Sequence, residues 1–97
     1  MACCAICRDR PDIDNLTIRS KHLHDHLRYV ADINDKILIA GPLNFDNAVE
    51  YNGSLFIYAG DSIANARKLL EQDPYFVAGL YGEISFAPFT PARGSWI

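Results

Sequence analysis

Four short apolar runs, separated by two stretches of helical periodicity, constrain this chain more than any other feature. Residues 3–7 (CCAIC) stop at Arg8-Asp9-Arg10-Pro11, as a buried strand does on entering a loop. After the turn-rich stretch from Pro11 to Asn15, the residues Leu16, Leu23, Leu27, Val30 and Ile33 fall near one helical stripe, which Asn34-Asp35 closes. Lys36 to Ala40 (KILIA) reads as a second strand, ended by Gly41-Pro42 because proline supplies no ladder donor. A polar segment from Leu43 to Asn52 is expected to arch over one end of the sheet before Gly53 to Ala59 resumes a strand. Asp61 or Ser62 can cap a second helix carrying Ile63, Ala66, Leu69 and Leu70 at helical spacing. That helix ends at Gln72-Asp73-Pro74, since a residue before proline is pushed out of the helical region. A turn at Ala78-Gly79 leads into a last strand from Leu80 to Ala87.

The order strand, helix, strand, strand, helix, strand predicts an α+β domain of the ferredoxin-like βαββαβ kind, with both helices on one face of a four-stranded antiparallel sheet. At 97 residues the chain suits one domain over 1–97 with a modest core. The open sheet face needs cover. Phe56, Tyr58, Tyr81 and Phe86 are expected to offer it to a second copy, giving a homodimer or a higher oligomer. A net charge of -3, with no basic stretch beyond Arg8 and Arg10, argues against nucleic acid. No run approaches the roughly 18 to 20 apolar residues of a bilayer span, so no membrane partner is expected. Cys3, Cys4 and Cys7 sit together with no distant partners, which reads as reduced thiols and a cytoplasmic setting.

The chemistry rests on one imidazole and one carboxylate that such a fold could bring to a shared cleft, His26 in the first helix and Asp73 after the second. An unperturbed imidazole titrates near pKa ~6.5, so His26 can accept a proton at neutral pH while Asp73 holds its other ring nitrogen. The competing reading is a hydrogen bond that only links the two helices. His22 and Tyr29 lie one turn either side of His26 and could line the same cleft, Tyr75 could add a ring and a hydroxyl, and the backbone at Gly41 could offer N–H groups to an anion. The i, i+3, i+4 spacing of His22, Asp25 and His26 lacks a further metal ligand, and no glycine-rich phosphate loop is present, so neither metal nor cofactor is expected. Ser54 and Ser62 have no histidine nearby in sequence.

The chain resembles the YciI-like (YCII-related) proteins. The matching residues are Arg19, His26-Leu27-Arg28-Tyr29, Ala40-Gly41-Pro42-Leu43, Gly53-Ser54, Asp73-Pro74-Tyr75, Ala78-Gly79-Leu80 and Ala87-Pro88-Phe89. The resemblance implies a dimeric α+β barrel with a site formed by His26 and Asp73, and a family in which one member is a dehydrochlorinase of a chlorinated hydroxyquinol. The family commonly has Arg-Pro-Ala before the histidine. This chain has Leu23-His24-Asp25, which leaves Arg19, one turn earlier, as a partial replacement for binding an anion. The expectation is therefore a small lyase, hydrolase or isomerase acting through His26 and Asp73 on a small molecule, an aromatic one included. The alternative is a non-enzymatic dimer that binds a small ligand or serves a structural role. The two differ in whether His26 meets a cavity or has both ring nitrogens occupied by protein.

Overall fold

A computed structural model describes residues 1–96. Its elements are β1 (Ala2–Asp9), α1 (Asn15–Asp32), β2 (Ile37–Leu43), β3 (Gly53–Ala59), α2 (Ile63–Glu71), α3 (Pro74–Val77) and β4 (Tyr81–Phe89), with single 3-10 turns at Asn34–Lys36 and Phe45–Asn47. The strands form one sheet in the order β2-β3-β1-β4, and every neighbouring pair is antiparallel. This is the ferredoxin-like arrangement, two interleaved βαβ halves with β1 and β3 at the centre. No helix is long and apolar enough to cross a membrane among the described residues.

Strand alternation decides which side chains meet the helices. Cys3, Ala5 and Cys7 on β1, with Phe56 and Tyr58 on β3 and Tyr81 on β4, are buried together with Ile33, Ala66, Leu70 and Tyr75 from the helical layer. Phe86, opposite Ala5, shares that face and lies under the Arg67 guanidinium of α2. The expectation that Phe56, Tyr58, Tyr81 and Phe86 face a second copy is thus corrected. They are core residues, and the period of two puts Cys4, Ile6, Leu55 and Ile57 on the opposite face instead.

The α1 stripe also differs from its reading. Leu16, Leu23 and Leu27 remain 41%, 47% and 56% exposed, and the residue that α1 buries is Arg19. The second strand does not stop at Gly41-Pro42. It runs to Leu43, with Pro42 opposite Ser54, because β2 is an edge strand where a missing donor is tolerated. Ser62, rather than Asp61, caps α2 by accepting from the Asn65 N–H at 3.1 Å.

After α2 the chain makes a further helical turn, α3, in the segment between Pro74 and Ala78 that the sequence reading left unassigned. Asp73 is extended at φ -66° and ψ 131° and accepts the Tyr75 N–H, while Pro74 takes the first helical position, where its missing N–H costs nothing. Gly79, at φ +79°, then turns the chain into β4. At the other end of β3, a side chain on Gly53 would collide with the Phe45 ring and the Cys7 carbonyl. In the C-terminal stretch from Pro91, Trp96 is exposed, and the last residue, Ile97, lies outside the described residues.

Candidate active site

Asp73 is held in place twice over by its local sequence. It caps α3 through Oδ1, and the packing of α3 against α1 turns the carboxylate towards His26, whose Nδ1 lies 2.8 Å from Oδ1 and 2.9 Å from Oδ2. Asp73 is 1% exposed, so these partners stand in for water at its oxygens. A carboxylate only accepts, so Nδ1 carries the proton and Nε2 is left as the basic nitrogen. No protein partner of Nε2 exists among the described residues. The imidazole is further fixed by stacking on the Tyr75 ring, with centroids 4.1 Å apart and planes 16° from parallel, and by the edge of Phe56.

His26 lines a cleft of about 290 Å³ between α1, α3 and the β2–β3 side of the sheet. The buried Arg19, Ser54, Phe56 and Tyr75 form its interior, and Gly41, Leu23, Leu27 and Tyr51, all exposed, form its largely apolar mouth. That explains the leucines of the α1 stripe that the core did not take. Arg19 is the one permanently charged side chain on the wall, and no carboxylate lines it.

Arg19 is anchored from below. Its Nε and Nη2 donate to Asp9 at 2.7 and 2.8 Å, and Nη2 also reaches the Gly53 carbonyl at 2.7 Å and Ser54 Oγ at 3.2 Å. Asn15 adds a third donor to Asp9 at 2.9 Å. Its Nη1 has no acceptor among the described residues, and since no fully buried side-chain nitrogen lacks a partner, Nη1 keeps contact with solvent. Sequence reasoning missed Asp9, and it weighed Ser54 only as a serine without a nearby histidine. Asp9 could have been found, because it continues the buried alternation Cys3, Ala5, Cys7, and a carboxylate on that face demands a cation.

Of the residues singled out in the sequence, the structure brings His26, Asp73, Arg19, Gly41 and Tyr75 together. Tyr75 contributes its ring only, since its hydroxyl donates to the Arg19 carbonyl at 3.2 Å. Gly41 has nothing within 4 Å of where a side chain would start, so packing does not require glycine there. Tyr29 and His22 do not line the cleft. The Tyr29 hydroxyl donates to the Leu69 carbonyl at 2.6 Å and ties α1 to the end of α2. No three His, Cys, Asp or Glu side chains gather in a way that could hold a metal among the described residues. Burial, helped by the charges of Asp73 and Asp9, pushes the Cys7 thiol up to about 12, which removes it as a nucleophile at neutral pH.

With that geometry, the profile of the YCII-related domain matches residues 1–90. The chain belongs to the YCII-related family. Among solved structures, this YCII-related chain is similar to 5-chloro-2-hydroxyhydroquinone dehydrochlorinase from Burkholderia phenoliruptrix, determined in complex with 2,5-dihydroxybenzoquinone. The TM-score is 0.79 at 24% identity, covering 95% of this chain and 96% of that one. A protein from Agrobacterium tumefaciens is similar with a TM-score of 0.57 at 16% identity, covering 95% and 93%. At these identities the likeness is one of fold. No curated protein matches the chain.

Proposed function

We propose that this protein is a small lyase or isomerase in which His26 Nε2 moves protons on a compact, hydroxylated ring compound. The observation that carries this reading is a histidine with one nitrogen held by a buried aspartate and the other without a protein partner in a cleft. A linking hydrogen bond alone would need neither the cleft nor the free nitrogen. The volume, at the low end of ligand pockets, suits a single ring with a few substituents, and the aromatic and aliphatic walls suit a flat one. Arg19 suits a ligand with a negatively polarised oxygen.

The fold's likeness to a dehydrochlorinase supplies the first substrate class to examine, chlorinated hydroxyquinols. On such a ring, His26 takes a hydroxyl proton and returns it to the carbon bearing chlorine, giving a dienone. It then takes a proton from a second hydroxyl as the C–Cl bond breaks and chloride leaves with its electron pair. The net change is loss of HCl, and no oxidant is required. Chloride release from 5-chloro-2-hydroxyhydroquinone tests this, with an expected loss of about a hundredfold or more in His26→Asn. Undiminished release in that variant overturns the role of His26.

The same reading includes a homodimer joined through the helix-free sheet face. Its support is the apolar side chains there, Ile6 and Phe89 at 39% and 43% exposure beside Leu55 and Ile57. Sedimentation equilibrium is expected to return twice the chain mass, and a monomer at micromolar concentration sinks the dimer. Three unpaired thiols suit a reducing compartment such as the cytoplasm.

A further inference from the structure

Ser54 has no assigned task in the chemistry above, yet it is 4% exposed and lines the cleft. Its Oγ meets two donors, Arg19 Nη2 at 3.2 Å and the Tyr81 hydroxyl at 2.9 Å. A hydroxyl has one proton and two lone pairs, and a guanidinium can only donate. The contact between Ser54 and Tyr81 uses one of the two hydroxyl protons and leaves the other without an acceptor among the described residues. Burial pushes the Tyr81 hydroxyl above its ordinary value, so it stays protonated. Tyr81 does not reach the cleft and Ser54 does, so the arrangement that spends both protons has Tyr81 donating to Ser54 and Ser54 donating into the cleft. One lone pair of Ser54 is then taken by Tyr81, the other faces Arg19 Nη2, whose two protons go to Asp9 and the Gly53 carbonyl at shorter distances, and the Ser54 proton is what the hydroxyl can donate to a ligand.

Arg19 lines the same cleft, and its Nη1, which has no acceptor among the described residues and keeps contact with solvent, can only donate. Asp9 offsets the charge of this guanidinium, so a ligand meets aimed N–H and O–H groups more than an unbalanced cation. Such a pair favours an oxygen carrying part of a delocalised charge.

We propose that Ser54 Oγ–H and Arg19 Nη1–H form an oxygen-binding pair for the deprotonated ring oxygen of a phenol or enol. This rests on the reading of the cleft as a substrate site. It adds that the charge left on the ring, once His26 has taken a hydroxyl proton, is held by Ser54 and Arg19, so that an acidic ring hydroxyl is the group the cleft selects.

The test uses two ring compounds of nearly equal shape, 4-nitrophenol, whose phenolate is followed by its visible absorbance, and 4-nitroanisole, which cannot ionise. The wild type is expected to bind the phenolate about tenfold or more tightly than the anisole, and to lower the ionisation pH of bound 4-nitrophenol by about one unit. Ser54→Ala is expected to remove most of that preference. Tyr81→Phe breaks the same Ser54–Tyr81 hydrogen bond but leaves the Ser54 proton, and is expected to keep the preference within about twofold. A wild type with no preference or no binding, an unchanged preference in Ser54→Ala, or equal losses in both variants overturns the proposal. His26→Asn separates it from the base reading. Retained phenolate preference with lost turnover upholds both, whereas retained turnover in that variant removes only the base.

Discussion

Arg19→Ala is expected to destabilise the fold by about 3–5 kcal/mol, the usual cost of removing one member of a buried ion pair. The substitution strips Asp9, 2% exposed in its side chain, of both its guanidinium hydrogen bonds and leaves it with Asn15 alone. It also deprives the Gly53 carbonyl and Ser54 Oγ of a donor. At this chain length each kcal/mol lowers Tm by about 4–8 °C, so thermal unfolding followed by circular dichroism would show the loss directly. The double variant Asp9→Asn with Arg19→Met removes the orphaned charge and is expected to recover a large part of the stability. A Tm within a few degrees of wild type for Arg19→Ala would mean that Asp9 finds another partner and that the guanidinium is not the keystone of that wall.

Asp73→Asn should leave the fold largely intact and lower turnover by about 10²–10⁴-fold. The amide oxygen can still accept the Tyr75 N–H, so the α3 cap survives, unlike in Asp73→Ala, where loss of the cap costs about 0.5–2 kcal/mol. With its oxygen on Tyr75, the amide presents its NH2 group to His26 Nδ1, which can then only accept. The ring proton moves to Nε2, and the nitrogen in the cleft changes from base to donor. Nitrogen-15 NMR of the His26 ring reads this tautomer change independently of any substrate. An unchanged tautomer, or unchanged turnover, removes Asp73 as the group that orients the base.

Much of this organisation was legible in the sequence because the relevant signals are local. Asp-Pro-Tyr encodes a cap, a proline at the first helical position and a stop for α2 in three residues, and β3 was bounded at Gly53 and Ala59 by its apolar run. The pairing of His26 with Asp73 follows from the helical layer of the predicted topology together with the family resemblance. The strand faces were harder. Phe56, Tyr58 and Tyr81 sit at alternate positions that fit either face of a sheet, and only the helices' location decides which face becomes the core. Ser54 was noticed in the sequence but could not be given a role, because its significance comes from Arg19 and Tyr81, distant in sequence and brought to it only by the fold. The stripe on α1 misled for a related reason. Apolar periodicity marks a face that avoids water, and on α1 that face is shared between the core and the mouth of a cleft.

Both outer strands of the sheet carry a proline, Pro42 in β2 and Pro88 in β4. A proline at an edge withholds one of the N–H groups that an incoming strand would use, so neither rim is a good template for another chain. Growth of the sheet sideways into ribbons or fibrils is therefore disfavoured at two margins by the same residue type. The β2 rim, Ile37–Leu43, carries no charged side chain and relies on Pro42 for this protection, whereas the β4 rim adds Glu83 to Pro88.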